Sequence, residues 1–234
     1  MTAGARPLLI GHRGAPRERP ENTLPSFLRA LELQADGIEM DVHCTKDRIV
    51  VVHHDAIPRA TPPSGMLAGK RIDALTFDEL QGFSVRGLAL ISTLAEALAV
   101  IKGRADVFVE LKGEAIEHEV IEVIRGSIAP ARCAVHSFDH AQVARARALA
   151  PDIRGGILFD RAVVDPVAAM RAADALDVWP SHEHVSEGFV QQVHEAGGRV
   201  IPWTVNKAAQ AVALAALGVD GLCTDFLAVL RAAL

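Results

Sequence analysis

The chain has 234 residues, of which 50% are hydrophobic and 23% charged, with a net charge of -5 and no tyrosine. That much apolar side chain offsets chain entropy, which excludes global disorder, and the length suits one large domain. The negative balance supplies no basic field for a phosphate backbone, so nucleic acid is not an expected partner.

Cys44, Cys133 and Cys223 are odd in number, widely spaced and without a CxxC pair, fitting neither a disulfide framework nor a thiolate zinc site. A reducing, cytoplasmic location is therefore expected. The apolar stretch near the N-terminus is too short for a signal peptide, and no later run reaches membrane-spanning length, so no stable membrane insertion is expected.

Short β-rich runs alternate with Ala/Leu-rich segments of helical period, a pattern that predicts a parallel sheet. The first run, 8–11, precedes a helix capped by Asn22 or Thr23, with Pro25 in its first turn and Phe27, Leu28 and Leu31 on one face. A second run covers 37–43 and a third 49–54. The link between them is too short for a parallel crossover, so the third run returns antiparallel through a hairpin at Lys46, Asp47 and Arg48. A turn centred between Asp47 and Arg48 places His54 opposite Asp41, on the sheet face that also carries Glu39. The Pro-rich stretch 57–92, which contains ATPPSGM and a short helix at 76–83, reads as an excursion above the sheet; a helix at 93–102 brings the chain down again. Strands then follow at 107–111, 133–137, 155–159, 175–179, 200–205 and 221–224, with helices near 114–126, 139–149, 165–174, 186–196 and 207–217. Eight parallel strands with intervening helices predict an α/β fold, a TIM (β/α)8 barrel forming one domain over 1–234, with a small inserted subdomain after the second strand at about 44–92. Its chemistry is expected at the C-terminal ends of the strands.

Those ends carry a coherent set of side chains. Gly11-His12-Arg13-Gly14 follows the first strand and sets an acid/base group beside a permanent cation. In the second, Glu39 and Asp41 flank Met40, and a period of two puts both carboxylates on one face. The strand at 107–111 repeats the logic with Glu110 and Lys112. Three carboxylates without a nearby cysteine suit Mg²⁺ or Ca²⁺ and leave positions for water and phosphate oxygens. The mouth is therefore read as an acidic metal cup bordered by His12, His54, Arg13 and Lys112. That inventory points to phosphoryl chemistry, because cations offset phosphodiester charge while two histidines exchange a proton with the attacking and departing oxygens. A sugar isomerase could also use carboxylates and a metal, but Arg13 and Lys112 would then need an anionic substrate group to face. His53 alternates with His54 and is read as structural, His182 and His184 as solvated loop residues, and Cys223 as a small buried filler.

The motifs HRG at 12–14, PENT at 20–23, EMDV at 39–42, VVVHHD at 50–55, ELK at 110–112, SFD at 137–139, PWTVN at 202–206 and GLCTD at 221–225 together resemble the glycerophosphodiester phosphodiesterase family, in order along nearly the whole chain. The resemblance implies a TIM barrel that hydrolyses a glycerophosphodiester to sn-glycerol 3-phosphate and an alcohol. It further implies that Glu39, Asp41 and Glu110 bind a divalent metal, Mg²⁺ or Ca²⁺, that His12 and His54 are the acid/base pair, and that Arg13 and Lys112 hold the phosphate. Glu21 and Asn22 match the PENT segment, and Trp203 matches an aromatic residue bordering the glycerol pocket. Two segments depart from the family pattern: Asp47-Arg48 replaces an Asp-Gly turn, so a residue with a Cβ must take any positive φ there, and 57–61 differs from the usual Leu-Asp-Arg-Thr run.

The expected partner is a small soluble glycerophosphodiester. Either water or the substrate's own 2-hydroxyl can serve as the attacking oxygen, and neither histidine is singled out as acid or base. A lysophospholipase D-like enzyme would keep the chemistry but need an apolar channel near Pro58, Pro62, Pro63, Met66 and Leu67. A Schiff-base barrel using Lys112 conflicts with the charge that Glu110 and a metal would maintain on that amine. A noncatalytic phosphodiester-binding barrel leaves both histidines and all three carboxylates without a purpose. No oligomeric state is assigned from the sequence.

Overall fold

Residues 6–59, 67–127 and 130–234 are described by the computed structural model of the chain. The strands are β1 (Leu8–Gly11), β2 (Gly37–Cys44), β3 (Val50–Val52), β4 (Ser84–Val85), β5 (Ala89–Leu90), β6 (Asp106–Leu111), β7 (Cys133–Ser137), β8 (Arg154–Phe159), β9 (Asp177–Pro180), β10 (Arg199–Val200) and β11 (Gly221–Thr224). The helices are α1 (Leu24–Glu32), α2 (Phe77–Leu80), α3 (Leu94–Ile101), α4 (Glu117–Ser127), α5 (His140–Leu149), α6 (Pro166–Ala172), α7 (Glu187–Glu195), α8 (Ala208–Ala216) and α9 (Leu227–Ala233).

Parallel pairing runs in the order β10, β9, β8, β7, β6, β2, β1, β11. The circle closes where Asp220 N–H donates to Val200 O at 2.9 Å, Cys223 N–H to Pro202 O at 3.0 Å and Val205 N–H to Cys223 O at 2.8 Å. This is the expected TIM barrel, with a helix after each barrel strand. Among the described residues no helix is long and apolar enough to cross a membrane.

Alternation along the strands sorts side chains into two cores. Ile38, Met40 and Val42 of β2 and Val107, Val109 and Leu111 of β6 point outward into the layer under the helices. Ile10, Phe108, Ala134, Leu158, Trp179, Ile201 and Cys223 fill the barrel interior. Each such aliphatic or aromatic side chain contributes roughly 1.5–3 kcal/mol by leaving water. The polar residues of the opposite parity on β2 and β6 are thereby forced toward the barrel axis.

Local chemistry explains where the elements depart from expectation. Thr23, rather than Asn22, caps α1, its hydroxyl accepting from Ser26 N–H at 3.4 Å. The strand expected over 200–205 is confined to Arg199–Val200, since Pro202 offers no N–H to a ladder. Ala175 and Leu176 precede β9 rather than belonging to it, the Ala175 N–H closing the end of α6 on Met170 O at 2.9 Å.

The β2–β3 hairpin is antiparallel as expected, but its register is shifted by one residue. Val42 pairs with Val52 and Cys44 with Val50, which puts the turn over three residues centred on Asp47. Arg48 takes φ 63°, the positive value that the last position of a three-residue hairpin loop requires, and its N–H donates to Thr45 O at 3.0 Å. His53 thus aligns with Asp41, its N–H donating to Asp41 O at 3.0 Å, and His54 does not lie opposite Asp41 in a ladder. His54 reaches the mouth because the chain leaves β2 after Val52.

Between β3 and α3, Val51, Ile72, Leu75, Leu80, Phe83, Val85 and Ile91 form a separate apolar cluster beneath α2 and the β4–β5 hairpin. The ATPPSGM stretch, including Ala60, Thr61, Pro62, Pro63 and Met66, lies outside the described residues.

Candidate active site

The loop after β1 is shaped by two positive-φ residues, Arg13 at 54° and Asn22 at 56°, joined by the Asn22 N–H to Arg13 O bond at 3.1 Å. Ser26 at the start of α1 pins it: its hydroxyl donates to Arg13 O at 2.9 Å and accepts from Ala15 N–H at 2.8 Å. Gly14 passes so close that a Cβ would sit 2.5 Å from Ser26 Oγ. The result turns the Arg13 N–H onto Glu39 Oε2 at 2.9 Å and its guanidinium into the barrel mouth, 3.0 Å from Glu21 Oε1 and 3.1 Å from Asp41 Oδ2.

Register carries the polar row across the barrel. Asp41 lies beside Glu110, Glu110 beside His136, and His136 beside Gly156. Asp41 is fully enclosed, with Asn22 Nδ2 donating to its Oδ2 at 2.7 Å and Lys112 Nζ 3.6 Å from its Oδ1. Burial alone would raise its pKa, but Arg13, Lys112 and His54 together with the Asn22 hydrogen bond hold it down at about 2. Glu110 moves the other way: burial and the charge on Asp41 push it up to about 7, although Lys112 Nζ lies 2.6 Å from its Oε1. Burial opposes the charge on Lys112, yet Glu110 and Asp41 outweigh it and raise the amine's pKa, so the ammonium is retained at neutral pH.

Two histidines face this cup, each bonded to a carboxylate. His12 Nδ1 is 2.7 Å from Asp225 Oδ1, and His54 Nδ1 is 2.8 Å from Asp55 Oδ1. The His43 ring donates to His54 O at 3.1 Å, and Arg59 pairs with the other oxygen of Asp55. Burial disfavours a charged His12, but the Asp225 hydrogen bond and the charge of Glu39 outweigh it and raise its pKa. With Nδ1 committed to a carboxylate, Nε2 is the free nitrogen of each ring.

A cavity of about 140 Å³ is lined by His12, Arg13, Glu39, His54, Glu110 and Lys112, and by His136, Phe138, Leu158, Trp179, Trp203 and Cys223. Trp203 is fixed by its indole N–H donating to Trp179 O at 3.0 Å and by an edge contact with Phe138, centroids 5.4 Å apart. Asp41, Glu21 and Asn22 stand behind that lining, reaching it through Arg13 and Lys112. Cys223 is buried with its pKa pushed well above the usual thiol range by burial, which leaves no thiolate for chemistry. His53 is buried beside β2, its Nε2 accepting from Arg59 N–H at 3.3 Å, and His182 bonds Gln210 at 2.8 Å; neither lines the cavity.

Two positions at the site escaped the sequence reading. His136 is enclosed at the cavity floor, and Asp225, with Asn206 donating to its other oxygen at 2.8 Å, anchors His12. The alternation from Ala134 to His136 was available as a signal for the first, since the parity that turns Ala134 inward does the same for His136.

Glu39 Oε1, Asp41 Oδ1 and both ring nitrogens of His136 are buried without a hydrogen-bond partner among the described residues. One donor atom each from Glu39, Glu110 and His136 lies within 4.8 Å of the others, an arrangement that could hold a metal ion, whereas Asp41 stands beside this group with Arg13, Lys112 and Asn22 around its carboxylate. The chain matches the model of the Glycerophosphoryl diester phosphodiesterase family over residues 12–229. It belongs to that family. Membership makes the protein a phosphoric diester hydrolase, in agreement with the motif resemblance. Similar proteins include a glycerophosphodiester phosphodiesterase of Caldanaerobacter subterraneus, 30% identical over 233 residues and spanning 93% of both chains. One from Bacillus altitudinis is 31% identical over 235 residues, covering 93% of this chain and 94% of its own. The solved structure of an Oleispira antarctica phosphodiesterase in complex with the product sn-glycerol-3-phosphate superposes with a TM-score of 0.87 at 26% identity, over 97% of this chain and 96% of that one.

Proposed function

We propose that the protein hydrolyses small glycerophosphodiesters to sn-glycerol 3-phosphate and an alcohol, with a divalent cation held by Glu39, Asp41 and Glu110. The observation that carries this reading is the pair of carboxylate-anchored histidines, His12 on Asp225 and His54 on Asp55, facing one cavity across three buried carboxylates. The product bound by the Oleispira relative supplies the substrate class.

Oxygen donors of this kind suit a hard divalent ion such as Mg²⁺ or Ca²⁺, which when bound supplies charge neutralisation at the phosphoryl group. The protein's own residues divide the remaining work. Arg13 and Lys112, both fixed by carboxylates, face the phosphate oxygens and stabilise the charge that builds on them. The free Nε2 atoms of His12 and His54 exchange protons with the attacking and departing oxygens, one accepting while the other donates. Trp203, locked by Trp179 and Phe138, walls the glycerol side and excludes water from it.

The test is release of glycerol 3-phosphate from glycerophosphocholine by metal-stripped protein, with Mg²⁺, Ca²⁺ or Mn²⁺ restored, beside Glu39→Ala and with lysophosphatidylcholine as competing substrate. Restored release in the wild type and none in the variant is expected. Preferential turnover of lysophosphatidylcholine would replace the substrate class, and absence of turnover on both would remove the assignment.

A further inference from the structure

His136 is the residue whose placement the reading above does not use. The residue is 1% exposed, and neither ring nitrogen has a hydrogen-bond partner among the described residues. Leaving a buried polar group unpaired costs roughly 1–3 kcal/mol, a penalty that an apolar residue of similar size would avoid. The fold nevertheless makes room for it. Gly156 stands beside it in the ladder, where a Cβ would meet His136 Cβ at 3.1 Å and Trp179 Nε1 at 3.0 Å. Trp179 then packs edge-on against the imidazole, centroids 4.5 Å apart, and fixes its orientation.

The ring is aimed at the carboxylate cup. Nε2 lies 3.8 Å from Glu39 Oε1, and one donor atom each from Glu39, Glu110 and His136 lies within 4.8 Å of the others. Two donors about 2.0–2.2 Å from one ion are about 3 Å apart at right angles and about 4 Å apart when opposed, so the 3.8 Å between His136 Nε2 and Glu39 Oε1 accommodates a shared cation. Among the described residues no backbone or side-chain hydrogen bond competes for the nitrogen.

Resting on the divalent-cation reading, we infer that His136 is a nitrogen ligand of that ion and shifts the site's preference from Mg²⁺ and Ca²⁺ toward a first-row divalent metal. Imidazole is a poor partner for the hard alkaline-earth ions and a good one for first-row metals, whereas the carboxylates serve both classes. The choice of ion is then set by one side chain at the cavity floor and not by the three acids.

Mn²⁺ is the probe, because its electron spin reports the nuclei bound to it. Mn²⁺ and Ca²⁺ affinities are measured by titration on the full chain, for wild type, His136→Gln and His12→Gln, and electron spin-echo modulation from directly coordinated ¹⁴N is recorded for each Mn²⁺ complex. The expected result is nitrogen coupling in the wild type and in His12→Gln, its loss in His136→Gln, and a drop of about tenfold or more in the ratio of Mn²⁺ to Ca²⁺ affinity in that variant. Bound Mn²⁺ without nitrogen coupling in the wild type overturns the inference while leaving the carboxylate site standing, and needs no variant to fold. Coupling that survives in His136→Gln but disappears in His12→Gln overturns it as well. If the wild type binds neither ion, the underlying cation reading fails and this inference fails with it.

Discussion

His12 Nδ1 lies 2.7 Å from Asp225 Oδ1, across 213 residues of sequence, and the other oxygen of that carboxylate accepts from Asn206 Nδ2 at 2.8 Å. β1 and β11 are paired neighbours, so the ladder between the first and last barrel strands also brings Asp225 to this imidazole. Asp225→Asn keeps the shape but offers an amide where the ring needs an acceptor. A fall of roughly 10²-fold or more in kcat is expected, with KM little changed and the thermal midpoint near wild type. Steady-state kinetics on glycerophosphocholine beside a melting curve checks it; a kcat within threefold of wild type would sink the orienting role.

Lys112 is expected to be needed for its charge at a fixed place and not for nucleophilicity. Replacement by Gln should lower kcat by roughly 10²–10³-fold, as loss of a preorganised donor does at other charge-stabilising sites. Lys112→Arg should recover part of that loss, since a guanidinium still faces an anion. A Schiff-base role predicts no recovery, so the comparison of the two variants decides between them.

His53 links stability to pH. Burial drives its pKa from 6.5 down to about 4, so the folded chain holds the ring neutral while the unfolded chain protonates it first. Stability from this residue is fully present above pH 6.5 and is lost as pH falls toward 4, by on the order of 3 kcal/mol. Urea unfolding at several pH values should show a smaller loss over that window in His53→Gln than in the wild type. Parallel curves for the two proteins would refute the assignment.

Gly14 adopts φ 89°, and a Cβ there would lie 2.5 Å from Ser26 Oγ and 2.8 Å from its backbone carbon. Gly14→Ala should cost about 2 kcal/mol or more, combining backbone strain with displacement of the α1 N-terminus. The same shift moves the Arg13 N–H off Glu39, so activity should fall further than in a control such as Gly188→Ala, where an added Cβ meets nothing. Denaturant midpoints and kcat/KM for the pair test both halves of the statement.

The strands and helices of the barrel were legible because each element has its own period and each is stopped by a small or polar residue. Glu39, Asp41 and Glu110 were placed on the interior face by parity alone, with Ile38, Met40 and Val42 marking the opposite side. What parity does not encode is the length of a turn. Arg48 occupying a positive-φ position adds a residue to the β2–β3 loop, and the register of His53 and His54 against Asp41 shifts with it. Partners contributed by distant strands were equally hidden: nothing near His12 announces Asp225, and although parity turns His136 inward, its approach to Glu39 emerges only when the strands are laid side by side.

The excursion that leaves β3 returns to it. Val52 N–H donates to Ser92 O at 2.9 Å, and Val51 bridges Thr93, so the two ends are fastened side by side on one short strand. Whatever is threaded between them meets the same two anchorage points, and doubling its length changes the closure cost by only about 0.6 kcal/mol. The rim around His54 is therefore an exchangeable cassette: a segment grafted between these two joints would leave Glu39, Asp41, Glu110, Arg13 and Lys112 in their places on the barrel.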